Sequence, residues 1–257
     1  MIPKIIFFDI DGTLKSFNKK TISPVIISAL NKLKEKNIKI FVSTGRPPFL
    51  VPHFKGIEFD GYICFNGSYC YDNKQVLFKH PIDKDDIRQV ISNGKKMGLP
   101  IMLSGAKRFG ANFYNKNLSD YVKISKDVDI VIDDYDDLLE EDIFQMMAGG
   151  REEIDLPLLE NTKTLKIVRW WDRANDIISK ECGKSQGIKG ILDIYHFNRE
   201  ECMAFGDGGN DLDMLEYAGI GVAMGNALDH VKQAADYITD DVDQDGIYTA
   251  LKHFHIL

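Results

Sequence analysis

The chain has 257 residues, 44% hydrophobic and 28% charged, which is length and apolar content enough for a sizeable buried core. Lys plus Arg number 32 against 39 Asp plus Glu, a net charge of −7, which argues against broad nucleic-acid binding, since that needs basic surface to neutralise phosphates. No apolar run approaches the roughly 20 residues that cross a bilayer. The opening Met1-Ile2-Pro3-Lys4 lacks the basic segment and cleavage site of a signal peptide. The four cysteines (Cys64, Cys70, Cys182, Cys202) form no C-x-x-C pair, so reduced thiols in the cytoplasm are expected.

Residues 4–8 are a short Ile- and Phe-rich run that stops at Asp9, the pattern of a strand buried on both faces. Ser23-Pro24 then opens a helical pattern through Ile26, Ile27, Leu30 and Leu33, with Ser at the cap and Pro in the first turn. Residues 38–42 form a second β-branched run and residues 62–65 a third, the latter followed by the hairpin dipeptide Asn66-Gly67. Strand, helix and strand in this order mean a parallel sheet with right-handed crossovers. The far end repeats the grammar. Helices are expected over 185–194, 212–217, 229–235 and 246–254, and strands over 202–205, 219–223 and 237–239. The middle differs: a helix over 83–97, stopped by Gly98, precedes strand-like segments at 100–103, 144–148, 165–171 and 176–179. The expectation is an α/β fold: a doubly wound, mainly parallel Rossmann-like core sheet with an inserted α+β cap domain. The core would comprise 1–81 and 182–257, the cap 82–181.

Three polar clusters each follow an expected buried strand: Asp9-Ile10-Asp11-Gly12-Thr13, Ser43-Thr44-Gly45-Arg46, and Gly206 through Asp211. In open α/β sheets the carboxyl ends of the strands form the ligand crevice, so these clusters should meet at one rim. Asp9 and Asp11 are like charges one residue apart, with Asp207 arriving from another strand end; such a set needs a counter-charge, or one carboxylate must protonate. Oxygen-only donors suit Mg2+, which keeps waters and bridges to phosphate, and no His- or Cys-rich spacing offers zinc instead. One carboxylate can attack phosphorus to give an aspartyl phosphate, while a second protonates the leaving oxygen and then activates water. Gly12, Gly45 and Gly208-Gly209 permit close backbone approach, Thr44 supplies a hydroxyl, and Lys184 opens a helix whose free amides favour an anion.

These clusters resemble the four motifs of the haloacid dehalogenase-like hydrolases. Asp9-Ile10-Asp11-Gly12-Thr13-Leu14 is similar to the first, Thr44-Gly45-Arg46 to the second, Lys184 within Gly183-Lys184-Ser185-Gln186-Gly187 to the third, and Gly206-Asp207-Gly208-Gly209-Asn210-Asp211 to the fourth. The insert between the second and third, and the stretch from Tyr217 to Ala227, resemble the Cof-type branch, whose α+β cap closes over the core site. The resemblance implies roles. Asp9 would be nucleophile and metal ligand. Asp11 would be general acid/base, with its main-chain carbonyl on the metal. Asp207 would be the third protein ligand of Mg2+. Ile10 (through its amide), Thr44, Gly45, Lys184 and Asn210 would hold the phosphate, Asp211 would orient Lys184 or metal-bound water, and Arg46 would either reach substrate or pair with an acidic neighbour. The expected activity is a magnesium-dependent phosphomonoester phosphatase acting on sugar phosphates or similar small phosphometabolites. Its rivals are a phosphosugar mutase of the same superfamily and a phospho-aspartate sensing module that turns over poorly. The partner is then a small-molecule phosphate ester, with neither nucleic acid nor membrane involved, and the oligomeric state is unknown from sequence.

Other features have blander readings. Asn66-Gly67 is most simply a turn. In Arg169-Trp170-Trp171-Asp172-Arg173 the adjacent Trp side chains of a strand would point to opposite faces, placing one in the cap core. The acid-dense stretch 127–142 reads as a solvated face. Asp241 through Gly246 mimics an EF-hand start, but the twelfth position is Lys252, not Glu, and calcium is rejected. The six histidines form no ligand pair, and the cysteines read as packing residues.

Overall fold

The computed structural model describes residues 2–19, 21–126 and 135–257; positions 127–134 of the acid-dense stretch lie outside them. β1 (Ile5–Phe8) is buried along its whole length. α1 (Pro24–Glu35) follows, its first turn closed by Ser23, whose side chain accepts from the Ile26 amide. β2 (Lys39–Ser43) and β3 (Gly61–Cys64) extend the sheet in parallel. β4 (Tyr69–Asp72) turns back antiparallel on β3, and β5 (Val76–Lys79) is the edge. The insert holds α2 (Lys84–Met97), β6 (Ile101–Gly105), β7 (Phe109–Ala111), α3 (Lys116–Lys126), α4 (Tyr135–Leu138), β8 (Ile143–Gly149), α5 (Asp155–Leu158), β9 (Leu165–Val168) and β10 (Ala174–Ser179). The chain then returns through α6 (Lys184–Tyr195), β11 (Cys202–Gly206), α7 (Leu212–Tyr217), β12 (Ile220–Ala223), α8 (Asp229–Ala234), β13 (Tyr237–Ile238) and α9 (Gly246–His253).

Among the described residues these strands make two sheets, in the orders β13-β12-β11-β1-β2-β3-β4-β5 and β7-β6-β8-β10-β9. From β13 to β3 every neighbour is parallel. Alternation along β1 sends Ile5 and Phe7 to one face, where they pack with Phe41, Ile63, Ile188, Ile191, Met214 and Val231 beneath α6, α7 and α8. Ile6 and Phe8 face the opposite way, and α1 packs on β2 and on α9. Helices on both faces explain why β1 shows no polar alternation. This is the doubly wound α/β architecture read from the sequence.

The second sheet is antiparallel throughout. α2 and α5 cover one face through Ile87, Val90, Ile101, Ile143, Leu158 and Ile177. α2 starts at Asp83, whose side chain accepts from the Asp85 and Asp86 amides, and stops at the left-handed Gly98. By contacts the chain divides into one unit of Met1–Gly45, Pro52–Phe78 and Gly183–Leu257 and another of Arg46–Val51 and Lys79–Cys182. The segment Arg46–Val51 thus groups with the insert, whereas the sequence pattern alone assigns it to the core.

The strand expected over 165–171 ends at Val168. The Arg169 guanidinium donates to both carboxylate oxygens of Asp155 and to the carbonyls of Gly150 and Ala174, which pulls the chain off the ladder. Trp170 and Trp171 consequently do not oppose each other across a sheet. They stack, ring centroids 6.3 Å apart at 22°, beside Tyr121.

Candidate active site

Parallel register sets the site. Phe8 pairs with Val42 on one side and Phe205 on the other, so the next residues, Asp9, Ser43 and Gly206, leave their strands at the same level. The Asp9 amide still donates to the Phe205 carbonyl at 3.0 Å, which ties the first acidic residue to the strand that delivers Asp207. Beyond Asp9 the chain folds back at once. Lys15 N donates to the Ile10 carbonyl at 2.9 Å, and Gly12 N to the Lys15 carbonyl at 2.8 Å. Gly12 adopts φ +93°, and a Cβ there would fall 2.2 Å from Asp207 Oδ2. Only glycine permits both the backbone conformation and the contact.

Lys184, at the first turn of α6, is fully buried. Its Nζ donates to Asp9 Oδ1 at 2.6 Å, Asp211 Oδ1 at 2.5 Å and the Ser43 carbonyl at 2.8 Å, so one ammonium joins three strand ends. Its three donors are all used. Asp211 Oδ2 accepts from the amides of Asp207 (2.9 Å) and Gly208 (2.8 Å), and both its oxygens are therefore engaged within the protein. Asp207 Oδ1 accepts from Thr13 Oγ1 at 2.8 Å. Asp9 and Asp207 each commit Oδ1 in this way, which leaves Oδ2 of each as the donor for a ligand.

Oxygens of Asp9, Asp207 and Asp211 lie within 4.8 Å of one another. Three buried carboxylates against one ammonium leave two negative charges without compensation, and burial of such charge is costly. The electrostatics express this. Burial pushes the Asp9 carboxyl up to about 7, against the pull of Lys184 and with Asp211 and Asp11 adding to the rise. Burial likewise drives Asp207 well above the usual carboxylate range, with repulsion from Asp9 and Asp211 adding to it. For Lys184 burial acts downward, yet Asp211 and Asp9 outweigh it and hold the ammonium charged, above its ordinary range. An all-oxygen, acid-rich cluster with a negative excess fits a hard divalent cation.

Asp11 stands apart from this cluster. Its side chain is 19% exposed and pairs with Lys15 Nζ at 3.4 Å. The three side-chain carboxylates that converge are thus Asp9, Asp207 and Asp211. The family resemblance assigns the metal to Asp9, Asp207 and the Asp11 main-chain carbonyl, and so gives Asp211 no place among the ligands. Thr44 is buried, its amide donating to the Ile63 carbonyl at 2.8 Å. Gly45 lies against the Asn66 side chain, and Asn210 Nδ2 donates to Asn66 Oδ1 at 3.0 Å. Ile10 is fully buried in the turn after β1. Arg46 belongs to the other unit, where its Nη1 donates to the Leu50 carbonyl at 3.2 Å.

Three residues here escaped the sequence reading as site members. Thr13 fixes Asp207. Asn226 donates from Nδ2 to the Gly12 carbonyl at 2.8 Å and accepts from the Val242 amide at 2.9 Å, which braces the glycine turn. Asn66 is treated below. Thr13 and Asn226 stood inside quoted motifs, and a hydroxyl or amide beside an obligatory glycine was the available signal.

A family model for haloacid dehalogenase-like hydrolases matches residues 6–251. Among curated proteins, YkrA of Bacillus subtilis (strain 168) is 32% identical over 263 residues, covering all of both chains. The 5-amino-6-(5-phospho-D-ribitylamino)uracil phosphatase YitU of the same organism is 29% identical over 270 residues, 99% of this chain and 98% of that one. The solved structure of the HAD subclass IIB sugar phosphatase BT4131 has a TM-score of 0.90 and 35% identity, covering 99% of this chain and 100% of that one. For BT1666 of Bacteroides thetaiotaomicron the values are 0.92 and 32%, over 100% and 96%. The chain belongs to the haloacid dehalogenase-like hydrolases, in the Cof-type branch. It is a phosphatase, a hydrolase acting on small phosphate esters. Among the described residues no helix is long and apolar enough to cross a membrane.

Proposed function

We propose that the chain is a magnesium-dependent phosphomonoester phosphatase working through an aspartyl phosphate on Asp9, with sugar phosphates or similar small phosphometabolites as substrates. The observation that carries this reading is the convergence of Asp9, Asp207 and Asp211 on the buried Lys184. Oδ2 of Asp9 and of Asp207 would hold Mg2+, with the Asp11 main-chain carbonyl as third protein donor. Bound there, the ion would offset the carboxylate excess and the negative charge of the phosphate.

The protein's own groups account for the rest. Lys184 is held charged beside Asp9 and supplies a fixed cation for the transferring phosphoryl group. Thr44, the Gly45 and Ile10 amides and Asn210 orient that group so that a carboxylate oxygen of Asp9 stands in line with the ester bond. The Asp9–phosphorus bond forms as the ester bond breaks, and Asp11 gives its proton to the departing alkoxide. Asp11, now a carboxylate, takes a proton from water, which attacks phosphorus, frees Asp9 and releases inorganic phosphate. The Asp11 side chain stands outside the buried charge cluster, beside Lys15.

The names of two relatives, a sugar phosphatase and a ribitylaminouracil-phosphate phosphatase, favour small polyhydroxylated phosphates. The buried, unbridged cysteines support a reducing compartment, in keeping with a cytoplasmic location. The test is phosphate release from a panel of phosphomonoesters with Mg2+ and with EDTA. Release that requires the cation and ranks hexose and pentitol phosphates first is expected. Release undiminished by EDTA would overturn the metal assignment, and conversion of a hexose 1-phosphate to its 6-phosphate without release would favour the mutase.

A further inference from the structure

The turn between β3 and β4 is more than a hairpin connection. Phe65, Asn66 and Gly67 all adopt positive φ (51°, 50° and 99°), three left-handed residues in succession. Asn tolerates this region, whereas a bulky aromatic residue does so at a cost. The chain accepts it with the turn wholly buried, Asn66 only 1% exposed. The conformation drives Gly67 against the start of α6, where a Cβ would lie 1.9 Å from the Gly183 carbonyl oxygen. It also places the Asn66 amide where three motif segments meet. Asn66 N donates to the Thr44 carbonyl at 3.1 Å. A Cβ on Gly45 would lie 3.1 Å from Asn66 Nδ2 and 3.2 Å from Oδ1, so the side-chain amide lies against that glycine. Asn66 Oδ1 accepts from Asn210 Nδ2 at 3.0 Å, across 144 residues of sequence.

We propose that Asn66 is a positioning residue for phosphate binding, its side chain fixing which edge of the Asn210 amide meets the substrate. An Asn side chain presents an acceptor on one side and two N–H donors on the other, and turning it over exchanges them. With one Nδ2 hydrogen taken by Asn66 Oδ1, the second remains as a donor. Without that anchor Asn210 can present its carbonyl oxygen to an anion, which repels it. Asn66 acts through Asn210. The inference rests on Asn210 being a phosphate donor, as the proposed function has it.

The test is a double-mutant cycle on the full chain with Asn66→Gly, Asn210→Ala and both together. Glycine keeps the left-handed backbone, so it removes the side chain alone. The readouts are kcat/KM for a phosphomonoester, competitive inhibition by inorganic phosphate, and the Mg2+ concentration for half activation. Asn66→Gly is expected to weaken phosphate inhibition and kcat/KM about ten- to hundredfold, the scale of one hydrogen bond to a charged group. Half activation by Mg2+ should not move. Adding Asn66→Gly to Asn210→Ala should cost nothing further. Additive losses, or an Asn66→Gly enzyme with unchanged phosphate inhibition, would overturn the proposal. If Asn210→Ala itself leaves phosphate inhibition unchanged, the assignment of Asn210 fails, and this inference with it. Should Asn66→Gly fold poorly, Asn66→Asp retains an acceptor in a left-handed residue. In that background Asn210→Ala must still weaken phosphate inhibition about ten- to hundredfold; no effect there would overturn the proposal.

Discussion

Replacing Lys184 by Met removes the single cation from a site that holds three buried carboxylates. In the native chain its Nζ serves Asp9 at 2.6 Å, Asp211 at 2.5 Å and the Ser43 carbonyl at 2.8 Å, with no solvent exposure. Removing one partner of a buried ion pair costs about 3–5 kcal/mol, because the remaining charge has neither partner nor water. Two carboxylates are stranded here, so the upper part of that range applies at alkaline pH. At lower pH the carboxylates can protonate, and the loss shrinks. The sign follows from linkage. Burial has already raised Asp9 to about 7, and loss of Lys184 raises it further. A group whose folded pKa lies above its unfolded value lends stability below the unfolded pKa and loses it as pH rises through the folded one. Denaturant unfolding in EDTA at pH 5.5 and pH 8.5, on wild type and Lys184→Met, reads the difference. The variant's deficit should widen by more than about 1 kcal/mol toward pH 8.5, close to one pKa unit. A deficit that is constant, or below about 1 kcal/mol at both values as for an exposed pair, would refute the argument that Lys184 compensates buried charge.

Gly12→Ala should abolish magnesium-dependent turnover, because its Cβ would fall 2.2 Å from Asp207 Oδ2 at a φ of +93°. Half activation by Mg2+ in any residual activity should shift at least about tenfold, equivalent to about 1.4 kcal/mol. Mg2+ at about one hundred times its dissociation constant should stabilise the protein by about 2.7 kcal/mol over EDTA, read by thermal melting, and Asp207→Asn should remove most of that increment. In the inserted unit, burial acts to raise the Asp86 carboxyl. The hydroxyl of Thr164 and the amides of Lys163 and Thr164 outweigh it and hold the carboxyl below its ordinary range. Its stabilisation is therefore present above the unfolded pKa near 4 and lost as pH falls through the lowered one. Asp86→Ala should cost about 1.5–3 kcal/mol at pH 7, with the gap to wild type narrowing below about pH 4, measured by unfolding of each protein across that range.

The core and the acidic site were legible because each site cluster follows a strand buried on both faces, and parallel register then aligns the clusters without further information. The uninterrupted apolar run ending at Asp9, and Ser23-Pro24 before α1, are local signals that survive folding unchanged. The insert was harder to read. β7 is three residues, Phe109–Ala111, too short for alternation to register, and α3 is largely polar. β9 ends early because Arg169 satisfies carbonyls that a longer ladder would use, and no local propensity encodes a hydrogen bond to Ala174 or Gly150. Asn66 has the same difficulty in sharper form. Its dipeptide is a hairpin signature whatever else it does, and its partner Asn210 is brought close only by the tertiary fold.

The central claim is that phosphate passes through Asp9, and trapping that adduct tests it most directly. Enzyme turning over a good substrate with Mg2+ is quenched, reduced with borohydride and mapped by peptide mass spectrometry. An acyl phosphate on Asp9 is converted to homoserine at position 9, and that product should appear only with substrate and vanish in Asp9→Asn. Turnover with no modification at position 9, or sustained turnover by Asp9→Asn, would contradict the account.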